Sequence, residues 1–231
     1  MALPLDEPLV RRSSGEQAAL YIRRLIFEGE LRPGMRVPQS EIAQALGISR
    51  IPVREALIAL EHEGWVVTEM HRGAFIARLD ERAVRDHYDL YGLVYGFAVE
   101  RALDRGPNDL ASRLSDIADR LLTEDDPAAF ERGSLEFHGA VVDAAATPRF
   151  RVVLRALSSM VPGNFFRHVP DALARQQLGL ATIARAASDG DSERAAHEYR
   201  QLLHELGDMV VGLFAARGLF DTTDPPTGVD D

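Results

Sequence analysis

Two arginines, Arg50 and Arg54, are four residues apart in the run that begins at Ser49 and continues Arg-Ile-Pro-Val-Arg-Glu-Ala-Leu. In a helix, residues at this spacing share one face, so both guanidinium groups would point the same way. Guanidinium groups donate paired hydrogen bonds to the edge of guanine, and they also bind phosphate oxygens. The spacing therefore favours contact with DNA, with this face of the helix in the major groove.

The residues around this pair predict the turn and the two helices of a helix-turn-helix. Gly47 can adopt the positive φ that ends a helix, and Ser49 is a natural N-cap for the helix that carries the arginines. Pro52 falls in the first turn, where its missing amide hydrogen costs no intrahelical bond. Ser40 is the predicted N-cap of the preceding helix, so both serines would offer phosphate-binding groups at a helix start.

Two short strand-like runs follow at 65–68 and 74–77, and they enclose a tip at 70–73. A helix-turn-helix followed by a hairpin predicts a winged helix, in which Arg72 and Gly73 would place the wing in or against the minor groove. The predicted DNA contacts are Ser40, Ser49, Arg50, Ile51, Pro52, Arg54, Arg72 and Gly73.

Beyond residue 79 the strand pattern stops, and apolar periodicity with Gly and Pro breaks predicts helices. The predicted helices span 81–105, 108–123, 127–146, 148–161, 170–189 and 192–217. The fold class is therefore mainly α, with an N-terminal winged helix-turn-helix that includes a small β-hairpin, and a C-terminal all-α bundle of six or seven helices. The predicted domains are 10–79 and 80–218, followed by a disordered acidic tail at 219–231.

The composition argues against a membrane or disulfide-bonded protein. The 231 residues include no cysteine, and no apolar run approaches the roughly 20 residues that a membrane helix needs, so we expect a cytoplasmic protein without membrane contact. Neither a Gly-rich phosphate loop nor a nucleophile elbow is present, so no enzyme activity is expected.

The charge distribution limits how DNA could be bound. The net charge is −10, yet residues 1–79 hold ten arginines and ten acidic residues and are neutral overall. Phosphate contacts must therefore come from locally clustered arginines and not from the bulk charge of the domain.

Residues 14–78 resemble the DNA-binding domain of the GntR superfamily of bacterial regulators. The motifs that carry the resemblance are 27–34, 49–57, 60–65 and the Arg72-Gly73 pair. The resemblance implies a homodimeric transcription regulator that binds a palindromic operator in double-stranded DNA. It also implies that repression relieved by a small-molecule effector is the more common arrangement, with activation as the alternative.

The helical half is similar to the FCD-type ligand-binding domain of the FadR-like branch of that superfamily, through Phe137-His138 and the runs 144–150 and 183–191. Many relatives bind a divalent metal there through one aspartate and three histidines. His138 matches the first histidine, but Ser134 stands at the aspartate position, and Leu180 and Leu202 stand at the other two. One ligand of four cannot hold a metal tightly, so we expect neither a metal nor a cofactor.

The resemblance also indicates what the effector pocket would contain. Relatives that bind small carboxylates carry an arginine and a glutamate where this chain has Val94 and Ala98. The predicted pocket is therefore apolar and suits a fatty acyl chain or an acyl-CoA, although the same residues could pack a solid core without a ligand. The predicted lining residues are Tyr91, Val94, Tyr95, Ala98, Ser134, His138, Leu180 and Leu202.

Three alternatives remain open at this point. A shifted alignment that used His197 and His204, seven residues apart on one helix face, would restore a metal-dependent regulator that senses a small carboxylate. The helical half could instead be an enzyme-like domain fused to a DNA-binding module, which would need convergent titratable groups in one pocket. A structural DNA-associated protein without an effector would show no ligand-dependent change in operator binding.

Overall fold

The computed structural model describes residues 13–145, 147–157 and 165–220. The chain divides into two compact units, Met1–Arg78 and Leu79–Asp231. In the described part of the chain, no helix is both long enough and apolar enough to cross a membrane.

The first unit contains three helices and a two-stranded antiparallel hairpin. The helices are α1 (Ser14–Phe27), α2 (Gln39–Leu46) and α3 (Arg50–His62), and the strands are β1 (Val66–Glu69) and β2 (Gly73–Ile76). The hairpin pairs Val66 with Ile76 at one end and Glu69 with Gly73 at the other. This order and pairing confirm the predicted winged helix-turn-helix.

Apolar residues on the inner faces of α1 and α3 build the core of the first unit. Val53 and Leu60 of α3 are buried, and Trp65 is buried next to Phe27, with the two rings in an edge-to-face contact at 5.3 Å. The opposite face of α3 stays exposed, and it carries both Arg50 and Arg54. The core thus fixes which face of α3 is available to a partner.

The local signals of the turn are largely confirmed. Gly47 ends α2 with a φ of 65°, and Ser49 is the N-cap residue of α3. Ser40, however, is not an N-cap: α2 begins one residue earlier, at Gln39, and Pro38 is the cap residue. The Pro38 carbonyl already accepts the first helical bond, from the Ile42 amide at 3.0 Å, which places Ser40 inside the first turn.

Each strand of the hairpin lies one residue closer to the tip than predicted. The strands cover Val66–Glu69 and Gly73–Ile76, whereas the predicted runs were 65–68 and 74–77. Pairing of Gly73 with Glu69 leaves a tip of only three residues, in which His71 adopts a positive φ of 63°.

A third segment, residues 34–37, lies along β2. The Val37 amide donates to the Ala74 carbonyl at 2.8 Å, and the Ile76 amide donates to the Met35 carbonyl at 2.9 Å. Arg36 and Phe75 form an antiparallel bridge between these bonds. The chain that leads into α2 is therefore fixed to the wing.

The second unit is all helical in its described residues. Its helices are α4 (Glu81–Arg105), α5 (Leu110–Leu121), α6 (Pro127–Ala145), α7 (Pro148–Leu157), α8 (Phe165–His168), α9 (Pro170–Ser188) and α10 (Ser192–Ala216). Six of the seven were predicted to within a few residues at the ends that the structure describes. The seventh, α8, is a single turn that buries Phe165 and Phe166, too short for periodicity to show. The predicted end of α7 at 161 lies outside the described residues.

The first two residues of the predicted tail at 219–231, Leu219 and Phe220, are packed. Leu219 is buried, and its carbonyl accepts a hydrogen bond from the Leu79 amide at 3.3 Å. Phe220 forms a parallel bridge with Leu79, and its ring lies 6.1 Å from that of Phe214. This apolar pair therefore belongs to the packed unit, and 221–231 of the predicted tail lie outside the described residues.

Helix α4 packs mainly against α10, and the two backbones approach closely at Gly96. A Cβ atom at Gly96 would lie 2.9 Å from the carbonyl oxygen of Ala196, a backbone atom that cannot move without shifting α10. The close approach buries α4 on more than one face, as a central helix requires.

We expect Gly96→Ala to lower the free energy of unfolding by about 1–3 kcal/mol, because the added methyl overpacks the contact between α4 and α10. Gly139→Ala on α6 is the matched control, since a Cβ there meets no atom within 4 Å. This variant should gain roughly 0.5–1 kcal/mol from the lower backbone entropy of alanine. Urea unfolding of both variants checks the pair, and equal shifts of the same sign would contradict the packing argument.

Candidate functional site

A polar cleft lies where the start of α2 meets the exposed face of α3. Its volume is about 470 Å³. The lining residues are Arg36, Val37, Pro38, Gln39, Ser40, Glu41, Arg50 and Arg54. All three arginines are exposed, and Glu41 is the acidic member of the set. A cleft with three guanidinium groups on one surface can bind phosphate oxygens and base edges.

The structure brings three of the predicted DNA contacts, Ser40, Arg50 and Arg54, into this cleft. Ser49 is exposed at the N-cap of α3, and its side chain makes no capping hydrogen bond. Ile51, 67% exposed, follows Arg50 on α3, whereas Pro52 is half-buried. The hydroxyl of Ser49 is thus available to a ligand at the start of α3.

The wing places Arg72 at the tip of the hairpin. Its guanidinium forms an ion pair with Glu69 and lies 5.5 Å from the centre of the Phe75 ring. Gly73 begins β2 with a φ of 108°, a conformation that favours glycine. Glu69 therefore competes with any phosphate for the charge of Arg72.

Arg36 was not among the predicted DNA contacts, yet it lines the cleft and its guanidinium lies against the wing. A Cβ atom at Gly73 would lie 3.0 Å from the Arg36 Nε atom and 3.2 Å from Nη2, so the guanidinium rests against the glycine. Nothing in the spacing of the sequence indicated this contact, because Arg36 and Gly73 are far apart along the chain and meet through the pairing of residues 34–37 with β2.

In the second unit, the predicted pocket residues are buried or half-buried. Val94 and His138 are half-buried. The buried ones are Tyr91, Tyr95, Ala98, Ser134, Leu180 and Leu202. The three tyrosines of α4, Tyr88, Tyr91 and Tyr95, are three and four residues apart and form one buried stripe.

A chain of neutral hydrogen-bonding groups links α6, α9 and α10 through His138. The Gln176 amide nitrogen donates to Ser134 Oγ at 2.6 Å and lies 3.3 Å from His138 Nε2. The other imidazole nitrogen, Nδ1, lies 2.9 Å from the Tyr199 hydroxyl oxygen. With Gln176 donating to Nε2, the imidazole proton is on Nδ1 and is donated to Tyr199.

Two members of this chain, Gln176 and Tyr199, were not among the predicted lining residues. Gln176 precedes Leu180 by four residues and Tyr199 precedes Leu202 by three, so each shares a helix face with a residue already assigned to the pocket. That spacing could have identified both. The lining is consequently more polar than the apolar surface that we predicted.

Burial controls the protonation of this cluster. Desolvation lowers the pKa of His138 to about 4, so the imidazole is neutral at neutral pH. The Tyr95 ring stacks on Tyr199 with 5.2 Å between centroids, and it meets the His138 ring edge at 5.2 Å. Burial raises the pKa of Tyr95 and of Tyr199, so both hydroxyls stay protonated.

These residues do not fit the metal site of the relatives. Both nitrogens of His138 are engaged by Gln176 and Tyr199, and Leu180 and Leu202 offer no donor atom. Within the described ranges, no group of three or more His, Cys, Asp or Glu side chains could hold a metal ion.

The alternative pair of histidines is not a metal site either. His204 instead pairs with Asp89 at 2.7 Å on the surface, and His197 is exposed.

We expect the stability of the protein to fall as the pH drops from 6.5 towards 4. In this window the unfolded chain protonates His138 and the folded chain does not, because the folded pKa is about 4 against 6.5 for the free side chain. The cost reaches roughly 3 kcal/mol at the acid end. Urea unfolding from pH 7 to pH 4 measures it, with His138→Gln as the variant that cannot titrate. The wild-type curve should fall more steeply than that of the variant, and parallel curves would contradict a buried neutral imidazole.

Both units match known protein families. Residues 14–76 match the model of the bacterial regulatory proteins of the gntR family, and residues 86–205, more than half of the chain, match the FCD domain. The fold is similar to that of E. coli McbR/YncC, with a TM-score of 0.65 at 18% sequence identity over 89% of this chain and 99% of that one.

Relatives among characterised and uncharacterised regulators agree with these matches. An uncharacterised HTH-type transcriptional regulator of Mycobacterium tuberculosis is 37% identical over 151 residues, which span 65% of this chain and 62% of that protein. The gluconate operon transcriptional repressor of Bacillus subtilis is 29% identical over 139 residues, or 59% of this chain and 57% of that protein. The chain thus belongs to the GntR family of bacterial regulatory proteins, with a gntR-type domain followed by an FCD domain.

Proposed function

We propose that the protein is a repressor that acts as a homodimer on a palindromic operator and that releases the operator when a small molecule binds its FCD domain. The observation that carries the proposal is the cleft with three exposed arginines beside the turn of the helix-turn-helix. Repression, in particular, is supported by the similarity to the gluconate operon transcriptional repressor of Bacillus subtilis.

The exposed face of α3 is the part that reads bases in this proposal. Arg50 and Arg54 donate to guanine edges or to nearby phosphates, and Ile51 offers an apolar surface to a thymine methyl group. Ser40 and Ser49 bind phosphates near the starts of α2 and α3, where backbone amides also point outward. Pro52 fixes the first turn of α3.

The wing completes the contact by entering the adjacent minor groove. Arg72 reaches a phosphate or the groove floor once it leaves Glu69, and Gly73 keeps the hairpin narrow. Because Arg72 must give up Glu69 before it binds a phosphate, it gains less free energy than an unpaired arginine would. The wing therefore contributes more to the orientation of the protein on DNA than to its affinity.

A homodimer is supported by an exposed apolar stripe on α4. Leu90, Leu93 and Phe97 are three and four residues apart on one face, and they are 50%, 58% and 48% exposed. Side chains of this size at helical spacing are covered in most folded proteins, here by a second copy of the chain. Two-fold symmetry would then present two α3 helices to two half-sites, which predicts the palindrome.

The effector that best fits the second unit is a largely apolar, uncharged group such as a fatty acyl chain, carried by the acid or by coenzyme A. Val94, Ala98, Leu180 and Leu202 supply apolar surface, and Tyr91 and Tyr95 border it. The hydrogen-bonding chain through Ser134 and His138 contains only neutral groups in the described residues, so a free carboxylate would find no cation there.

Helix α4 is the element that would transmit effector binding. It begins at Glu81, three residues after Arg78, the last residue of the first unit, and it carries both the tyrosine stripe and the proposed dimer face. A ligand that displaces α4 therefore moves the connecting backbone, which changes how the two α3 helices meet their half-sites.

The role of α3 is tested by Arg54→Ala. We expect specific binding to weaken by about 1–3 kcal/mol, because a base-edge contact is lost while the dimer stays intact. Fluorescence anisotropy with a duplex selected from a randomised pool by the full chain measures the affinity. Arg113→Ala, which removes an exposed arginine from α5, is the matched control and should bind like wild type. Unchanged affinity of Arg54→Ala for the selected duplex would contradict a base contact by Arg54.

The dimer and the effector are tested together by native mass spectrometry of freshly purified protein, with elemental metal analysis. We expect a dimer that releases an apolar organic ligand and carries no stoichiometric metal. Leu93→Glu should give monomer, whereas Leu178→Glu on α9, at a residue 60% exposed, should remain dimeric. Stoichiometric zinc, nickel or manganese would overturn the apolar effector and favour a metal-dependent sensor of small carboxylates.

A further inference from the structure

We infer that Arg36 binds the phosphate of the DNA backbone that lies between the groove occupied by α3 and the groove occupied by the wing. The inference rests on the proposed binding of α3 and the wing to adjacent grooves. Arg36 is thus a fourth DNA-contacting arginine, beside Arg50, Arg54 and Arg72, and it is one that positions the protein without reading sequence.

The position of Arg36 between the two DNA-binding elements is the first observation. Its side chain lines the cleft together with Arg50 and Arg54 of α3. The same guanidinium rests against Gly73 at the start of β2, where a Cβ atom would lie 3.0 Å from Nε. Among the three arginines that line the cleft, Arg36 is therefore the one whose guanidinium lies against the wing.

The backbone of Arg36 is held firmly, which is the second observation. The Val37 amide donates to the Ala74 carbonyl at 2.8 Å, and the Gly34 amide donates to the Ile76 carbonyl at 2.9 Å. Arg36 itself bridges to Phe75. Because this backbone is already paired, no backbone freedom is lost when the Arg36 side chain binds a ligand.

The charge of Arg36 is also available. Arg72 on the same hairpin is paired with Glu69, but no hydrogen bond or ion pair joins the Arg36 guanidinium to another side chain in the part of the chain that the structure describes. Glu41 lines the same cleft without bonding to Arg36. An exposed guanidinium without a partner is free to take a phosphate in bidentate geometry.

The geometry of DNA supplies the partner. Adjacent major and minor grooves are separated by one sugar–phosphate strand, so a protein that occupies both must cross that strand. The group at the junction of α3 and the wing then faces phosphate and not a base edge. Such a contact neutralises one phosphate and carries no sequence information directly.

This assignment predicts a pattern that differs from that of a base-reading arginine. We would measure the affinity of the full chain for the pool-selected duplex and for a shuffled duplex of the same composition, over a range of salt concentrations. Arg36→Ala should weaken binding to both duplexes by a similar factor, about five- to thirty-fold, and should reduce the salt slope by about one. Arg54→Ala should instead lower the ratio of selected to shuffled binding.

Two further variants separate charge, geometry and folding. Arg32→Ala removes an exposed arginine four residues earlier that hydrogen-bonds the Gly29 carbonyl and does not line the cleft, and it should behave as wild type. Arg36→Lys keeps the charge and should retain the salt slope, yet bind a few-fold more weakly because the planar fork is lost. It also serves as the test variant if Arg36→Ala has a lowered melting temperature.

The outcomes that overturn the inference are specific. If Arg36→Ala binds with the same affinity and salt slope as Arg32→Ala, the proposed phosphate contact is refuted. If Arg36→Ala does not fold, binding of Arg36→Lys identical to that of wild type refutes it. A collapse of the selected-to-shuffled ratio would make Arg36 a base reader instead. Wild-type protein that enriches no duplex from the pool would refute operator binding itself, which is a different result from a defect confined to Arg36.

Discussion

The packing of α4 against α10 is the constraint on which the second unit depends. At Gly96 the α4 backbone lies so close to α10 that a Cβ atom would approach the Ala196 carbonyl oxygen to 2.9 Å. At Gly207 on α10, a Cβ atom would approach the Cβ atom of Tyr88 to 2.6 Å. Glycines on both helices let their backbones and rings interlock. Backbones packed this closely respond to a perturbation by moving as whole elements more than by local repacking.

Close packing of α4 would let this one helix contact the effector, form the dimer surface and connect to the first unit, as proposed above. The buried stripe that includes Tyr91 and Tyr95 faces the hydrogen-bonding chain of His138, while the apolar stripe that includes Leu93 lies exposed on another face of α4. The N-terminus of the same helix follows directly from the boundary between the units. A ligand that competes for the hydrogen bonds of His138 would act on a body that also bears the proposed dimer surface, so coupling needs no separate pathway of residues.

The parts of this protein that were predicted correctly depend on local chemistry. Gly47 and Pro52 each satisfy a requirement of their immediate backbone, Ser49 occupies the N-cap position of α3, and the long helices follow from apolar periodicity. Ser40 was wrongly predicted to be the N-cap of α2. The helix begins at Gln39, soon after the segment 34–37 that pairs with β2, and this pairing joins segments distant in sequence. The same nonlocal pairing places Arg36 against Gly73, so no reading of spacing along the chain could have included it.

A domain of zero net charge can discriminate among DNA sequences when base contacts supply a large share of its affinity. Nonspecific affinity depends on the number of phosphates that are neutralised, and Glu41 in the cleft and Glu69 beside Arg72 reduce that number for any duplex. In the proposed binding mode, base-edge contacts from Arg50 and Arg54 form only with a matching sequence, so they raise the affinity for that sequence above a weak common background. Against that background, a single phosphate contact such as the one inferred for Arg36 would account for a larger share of the affinity than it would on a strongly basic surface. The position of a few arginines, and not the total charge of the domain, would therefore determine which duplex this protein binds.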